Sequence, residues 1–307
     1  MKVTEATEQI CASCGIKGDD DDVKLKHCTA CYLVKYCGVE CQRKHRGQHK
    51  RACKKRAAEL KDELLFKQPD STHLGDCLIC LLPIPFPTIQ DTLVRSTLYQ
   101  CCGKLVCNGC VYANMLREIE GGLRNKCPFC RHKFPHTVAE VDQSLMKRAE
   151  ANDPLALMSV GGLRFRSGDY ATAIEYWEKA ASLGDIESHF HLSCMYEEER
   201  GVEKDTRKYI HHAEQAAIGG HPIARQKLAA WELKKENLKR AAKHTIIAAN
   251  LGDDKAIQAL KVFYAGGLVS KDDFAAALRA HQAAVDAMKS PQRDAAELNR
   301  KMYARDI

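Results

Sequence analysis

The chain has 307 residues, 45% of them hydrophobic and 28% charged, with a net charge of +7. That length suits about two domains, or three if some are small and stapled by metal. Met1 to Gln9 is polar and acidic, with no apolar signal core, and no stretch reaches the roughly 18 apolar residues of a membrane span. The expectation is a soluble protein of the cytoplasm, the nucleus or both, with no membrane partner.

Fifteen of the sixteen cysteines fall in the first 130 residues, in closely spaced clusters, and only Cys194 comes later. A disulfide framework would need an oxidising compartment, whereas Cys-x-x-Cys pairs with interspersed His are metal spacings suited to a reducing one. With His49 the fifteen thiols supply sixteen ligands, the number that four tetrahedral zinc ions require.

The first cluster reads Cys11-x-x-Cys14, Cys28-x-x-Cys31, Cys37-x-x-x-Cys41 and His49-x-x-x-Cys53. A two-residue gap lets a tight turn bring both sulfurs to one metal, and a three-residue gap on a helix puts them on one face. With Lys35-Tyr36-Cys37 and Cys41-Gln42, this pattern over residues 11 to 53 resembles the MYND zinc finger. The resemblance implies interleaved sites, with Cys11, Cys14, Cys37 and Cys41 on one zinc and Cys28, Cys31, His49 and Cys53 on the other. It also implies that Gln42 borders a groove for proline-containing peptides. Many relatives place a tryptophan three residues before the ligand His, where this chain has Arg46, so the peptide preference stays open.

Between Cys41 and Arg56 there are eight basic residues (Arg43, Lys44, Arg46, Lys50, Arg51, Lys54, Lys55, Arg56) and no acid. Such a patch suits nucleic acid, an import receptor or an acidic partner. The simpler expectation is a solvated helix face, and without a base-reading motif nucleic acid is not an expected partner. From Lys54 to Gln68, apolar Ala57, Leu60, Leu64 and Leu65 at helical spacing predict a connecting helix that ends before Pro69.

The second cluster opens with Cys77-Leu78-Ile79-Cys80, continues through Cys101-Cys102 and Cys107-x-x-Cys110, and closes with Cys127-Pro128-Phe129-Cys130-Arg131. Over residues 77 to 131 it resembles a RING finger, while other zinc modules share the same ligand chemistry. The resemblance implies a cross-brace, with Cys77, Cys80, Cys107 and Cys110 on one zinc and Cys127, Cys130 and the Cys101/Cys102 pair on the other. Adjacent cysteines depart from the family spacing. One of them is then a candidate bystander, with His132 or a nearby His as its replacement.

From Asn152 onward the sequence is helical in period. The unit Ala-Ala-x-x-Gly recurs at Ala180-Ala181 with Gly184, at Ala216-Ala217 with Gly220 and at Ala248-Ala249 with Gly252, offsets of 36 and 32 residues that suit two-helix repeats. A fainter fourth copy runs from Lys255 to Asp286 around Phe263, Tyr264 and Ala283-Ala284. These features resemble Sel-one-like repeats, relatives of the tetratricopeptide repeat, which stack into a solenoid. Ser290 to Ile307 reads as a frayed helical tail.

The expected divisions are 9–56 MYND finger, 57–73 linker helix, 74–136 RING-type finger, 137–290 repeats and 291–307 tail. The fold class is small zinc-stapled modules (MYND and RING cross-brace fingers) followed by an all-α helical-repeat solenoid. There is no phosphate-binding glycine loop and no Gly-x-Ser-x-Gly elbow, and Cys194 sits in an apolar helix where a core role is expected, so no catalytic nucleophile is assigned. The RING resemblance implies a ubiquitin ligase acting by positioning, with Ile79 and Pro128 docking a ubiquitin-conjugating enzyme and Arg131 bridging it to ubiquitin. Repeats and MYND finger would select substrate or adaptor proteins. A non-catalytic scaffold is the rival reading.

Overall fold

The computed structural model of the chain describes residues 10–18, 23–86, 96–122, 126–134 and 137–303. Met1 to Gln9, His136 and residues 304–307 of the expected divisions lie outside these. The chain forms two compact units, Met1–Lys67 and Gln68–Ile307. The second cysteine cluster belongs to the same unit as the repeats.

In the first unit, β1 (Lys26–His27) pairs antiparallel with β2 (Lys35–Tyr36), and α1 (Val39–Leu65) follows. Its core cluster is Cys11, Cys28, Cys31 and Tyr36, with Leu25 and Val34 packed alongside. So few apolar side chains cannot offset the entropy of ordering the chain, and a bound metal has to supply the difference. The connecting helix expected over Lys54–Gln68 is not separate. It continues the helix that carries Cys41, His49 and Cys53, because no breaker lies between Cys53 and Leu65.

The second unit begins with β3 (Ser96–Tyr99) paired antiparallel to β4 (Lys104–Cys107), in register Ser96 to Cys107 and Tyr99 to Lys104, and α2 (Asn108–Glu120). Cys77, Ile84, Tyr99, Val106, Cys107, Cys110 and Cys127 form the core of this cysteine module, and Tyr99 stacks on Phe134 with ring centroids 5.5 Å apart. Then come α3 (Val138–Glu150), α4 (Pro154–Arg166), α5 (Tyr170–Ser182), α6 (Ile186–Glu198), α7 (Thr206–Ile218), α8 (Pro222–Lys234) and α9 (Leu238–Asn250). The array ends with α10 (Asp254–Ala265), α11 (Lys271–Ala287) and α12 (Pro291–Tyr303). The closest pairs are α4 with α5, α6 with α7 and α8 with α9.

Local chemistry sets these lengths. Asp153, Asp169, Asp185, Asp205 and Asp253 each cap a helix by accepting backbone N–H groups of the first turn. At the other ends of α5, α7 and α9, Gly184, Gly220 and Gly252 take left-handed φ values of 91°, 86° and 88°. Ala180, Ala216, Ala217, Ala248 and Ala249 are fully buried where helices cross. Gly161 of α4 is needed for a different reason. A Cβ there would come within 2.6 Å of the Trp177 ring, which is buried and donates its indole N–H to the Met158 carbonyl at 3.1 Å.

Two expectations are corrected. The fourth repeat is present as α10 and α11, but Ala283 is exposed, so its alanine pair does not form a crossing like the other three. The tail is no frayed end. Its helix α12 packs on α2, and a Cβ on Gly109 would meet the Arg293 backbone at 2.7 Å.

The segment leading into the second module is fastened to the repeats. His73 N–H donates to the Gly220 carbonyl at 3.2 Å, and its ring stacks on His221, which stacks in turn on Phe190, at 4.3 and 4.1 Å.

Candidate metal centres

Four of the five Cys-x-x-Cys pairs close the same kind of turn, and the fifth, Cys107 and Cys110, lies at the start of α2. Backbone N–H groups of Gly15, Tyr32, Leu81 and Arg131 donate to the carbonyls of Cys11, Cys28, Cys77 and Cys127 at 2.9, 2.9, 2.8 and 3.0 Å. Those four donors have φ values of 74°, 57°, 57° and 60°. Only the first is glycine, so three bulky side chains are held in the left-handed region, a strain that persists where the surroundings over-determine it. Facing each turn, the first cysteine's N–H donates to Ile16, Val34, Leu82 or His132. Two cysteines thus point their sulfurs to one spot.

Helices supply most of the remaining ligands. Cys41 lies in the first turn of α1 and pairs with Cys37, while His49 and Cys53 are one turn apart on the same helix. Cys107 caps α2 and Cys110 lies in its first turn. Cys101 and Cys102 occupy the turn from β3 to β4, where the Cys102 and Gly103 N–H groups both donate to the Tyr99 carbonyl.

Four ligand groups result: Cys11, Cys14, Cys37 and Cys41; Cys28, Cys31, His49 and Cys53; Cys77, Cys80, Cys107 and Cys110; Cys101, Cys102, Cys127 and Cys130. Within each, all ligand atoms lie within 4.8 Å of one another. A tetrahedral zinc with 2.3 Å arms spaces its sulfurs about 3.8 Å apart. The sulfur pairs Cys14–Cys37, Cys28–Cys53, Cys80–Cys107 and Cys102–Cys127 lie at 3.6, 3.8, 3.8 and 3.6 Å, and Cys31 Sγ is 3.2 Å from His49 Nε2. These spacings fit zinc and are far beyond a disulfide bond of about 2.05 Å. Both Cys101 and Cys102 reach the fourth group, Cys101 Sγ lying 3.4 Å from Cys130 Sγ. His132 is exposed and outside it.

Electrostatics point the same way. Burial raises the Cys11 thiol, but backbone N–H groups of Cys14 and Cys37 outweigh it and draw the group down to about 6. Cys37, sharing hydrogen bonds with Cys41 and Cys11, is pushed up to about 12. In the second group Cys28 is drawn down to about 6 against the pull of burial, while burial and the hydrogen bond that its thiol donates to Cys28 push Cys53 up to about 11. Crowded thiols oppose one another's ionisation, and a dication removes that conflict by taking them all as thiolates.

Sequence reasoning missed Arg293. Its guanidinium donates to the carbonyls of Leu82, Pro83 and Met288 at 3.1, 2.7 and 2.6 Å and approaches Cys80 Sγ at 3.5 Å. A positive charge thereby borders a four-thiolate group that remains anionic with zinc bound. No local pattern announces a residue two hundred positions away.

The residues expected from the resemblances to meet partners are on the surface. Ile79 is 45% exposed, flanked by exposed Leu78 and Leu81, while Arg131 and Gln42 are exposed and Pro128 is half-buried. Cys194 is half-buried on α6, and burial raises its thiol. A fifth cluster, His73, Glu187 and His221, also has its ligand atoms within 4.8 Å. Its geometry is that of a hydrogen-bonded clasp. The Ala224 N–H donates to His221 Nδ1 at 3.3 Å, so Nε2 carries the proton and presents it, rather than a lone pair, to Glu187. His73 and His221 lie nearly parallel, which puts their lone pairs poorly for one ion. Glu187 accepts from His73 at 2.8 Å, and those hydrogen bonds hold its buried carboxyl well below the usual carboxylate range despite the opposing effect of burial.

Residues 11–53 match the MYND finger family, and residues 155–185, 186–221 and 231–253 match the Sel1 repeat. No curated protein matches the chain. Among solved structures, a Sel1 repeat protein from Oxalobacter formigenes is 26% identical, over 58% of this chain and 70% of that one, with a TM-score of 0.43. A protective antigen of uropathogenic Escherichia coli displaying an SLR fold is 18% identical, over 56% of this chain and 38% of its own length, with a TM-score of 0.42. The chain therefore joins a zinc-binding MYND finger to an all-helical Sel1 array, the makeup of a multidomain protein-interaction protein.

Proposed function

We propose that residues 74–136 form a RING-type finger, that the chain carries about four zinc ions, and that it is a ubiquitin ligase of the cytoplasm or nucleus. The observation that carries this reading is the turn tip of the second module. Leu78 and Ile79 are about half exposed, although Cys77 behind them is fully buried. Large apolar side chains left in water on so small a module suit a protein partner, where a few anchors dominate binding. The interleaving of the third and fourth ligand groups along the chain supports a cross-brace.

In this reading zinc is structural, fixing the turns that present Ile79 and Pro128 to a ubiquitin-conjugating enzyme. A substrate lysine amine attacks the ubiquitin thioester carbonyl, an isopeptide bond forms, and the conjugating enzyme's cysteine leaves as thiol. The chain contributes by holding the thioester in reach, and Arg131 supplies fixed donors to both partners. Substrate or adaptor proteins would be held by the repeats and, through Gln42, by the MYND finger. A cleft of about 510 Å³ between β3 and helices α3 to α6, lined by Phe165, Trp177, Arg166 and Arg200, offers apolar walls and cations for a polypeptide.

The test is autoubiquitination by the zinc-loaded full chain with a panel of conjugating enzymes. Ile79→Ala should abolish transfer while zinc content and melting stay unchanged, and Arg131→Ala should slow transfer more than it weakens docking. Absence of chain formation with every enzyme would favour a non-catalytic scaffold. The adjacent cysteines of the fourth group are the specific feature on that side.

A further inference from the structure

The arc of α1 turned away from its zinc ligands is cationic and unneutralised. Lys44, Arg46, Lys50, Arg51, Lys54 and Lys55 are exposed, and none has an ion-pair partner among the described residues. Arg43 pairs with Glu40, and Arg56 with Glu59 and Glu63. At about 100° per residue, these cations wrap about half of the helix circumference over about 18 Å of its length. His49 and Cys53 occupy the other half. The arrangement strains the helix, since Arg46, Lys50 and Lys54, and again Arg51 and Lys55, are like charges one turn apart.

Gly47 adds a second, independent observation. It lies near the middle of the cationic arc, in the interior of α1, and a Cβ built on it would meet nothing within 4 Å. The fold gains nothing from glycine there, and helix propensity loses by it. A bare backbone between two flanks of cations is what close approach of a ligand requires.

We infer that α1 docks in the major groove of a B-form nucleic-acid duplex, with Gly47 toward the groove floor and the flanking lysines and arginines on the phosphates of both strands. Charge complementarity selects this occupant. An acidic peptide lying along a helix neutralises a narrow stripe, whereas two strands of phosphate flank a helix on both sides. The major groove is wide enough to admit a helix, and each strand presents closely spaced charges. The sequence argued against nucleic acid for want of a base-reading motif, but backbone docking needs none, and binding is sequence-independent.

The experiment is fluorescence anisotropy of the zinc-loaded full chain with a labelled 20-base-pair DNA duplex. Six phosphate contacts predict a log–log salt slope of about −5 and affinities that vary little with sequence. Lys50→Glu/Arg51→Glu/Lys54→Glu should weaken binding at least thirtyfold, and Gly47→Leu about tenfold, with zinc content and circular dichroism unchanged. Gly47→Leu is the sharper variant, because it leaves every charge in place and improves helix propensity. No DNA binding at 50 mM salt would overturn the inference. Equal affinity for an A-form RNA duplex would overturn the groove seating, and equal affinity for poly-glutamate would replace the duplex with an acidic polypeptide.

Discussion

The two halves of this protein bury different things. In the cysteine modules the core consists largely of sulfur, with Tyr36 in one and Ile84, Tyr99 and Val106 in the other. The repeats bury alanine at every principal crossing and fill the space between with Trp177, Leu157, Leu192 and Leu260. A sulfur core gains its cohesion from an ion, whereas an alanine and aliphatic core gains it from area removed from water. The same chain therefore holds one region whose stability depends on metal supply and another whose stability depends on fit.

Chelation separates them most strongly. Stripping metal should unfold the first unit, since zinc in such modules supplies about 10–16 kcal/mol of folding free energy. Circular dichroism should retain the signal of the repeats, and loss of most helicity would show that the repeats depend on zinc too. Cys28→Ala gives the same contrast genetically, losing the second ligand group while leaving the repeat melting transition in place. Metal analysis should find about four zinc ions per chain in the wild type.

The converse perturbation is Ala217→Leu, placed where α7 is fully buried. Overpacking there should cost about 1–3 kcal/mol in the repeat transition with no change in zinc content. An unchanged melting temperature would mean that the crossing is looser than its buried alanines imply.

Acid should act next, on the repeats. Burial, then the neighbouring His189, holds His212 down to about 4, and burial with Arg225 nearby holds His244 down to about 3. In the unfolded chain both titrate near 6.5, at about the usual histidine value. As pH falls through that value the unfolded state takes up protons that the folded state refuses. Stability is complete above it, falls as pH drops, and the loss levels off below the folded values. Melting should drop by several degrees between pH 7.5 and 5, and His212→Phe should flatten part of that slope. The smallest effect expected is that of Arg293→Ala, which should speed zinc release from the third ligand group with little change in overall melting, read by a chromogenic chelator.

Much of this was legible because it is local. Cysteine spacing marked the local ligand pairs, since a Cys-x-x-Cys turn and an i, i+4 helical pair are decided within a few residues, whereas which pairs converge in the first unit followed from the resemblance to the MYND finger and not from spacing. The Ala-Ala-x-x-Gly units foretold the left-handed ends at Gly184, Gly220 and Gly252 for the same reason. What escaped depends on distant partners. Arg293 reaches Leu82, and His73 reaches Glu187 and Gly220, across separations that carry no periodic signal. The continuity of α1 escaped because a zinc finger and a linker were read as separate objects although nothing between them breaks a helix.

The contact of α12 with α2 has a mechanical meaning. The second module is held at one end of the array, where Arg148 and Ser144 of α3 donate to the Gln100 carbonyl, and at the other, where Arg293 grips the turn after Cys80. An open stack of helices flexes like a spring, its ends drifting apart at little cost. Here the two ends are pinned to one cysteine-rich block, so the stack is loaded like an arch, and thermal breathing at either end has to work against both anchors. The cleft beside β3 should accordingly keep its width from empty to occupied, and admit a polypeptide by matching it rather than by closing around it.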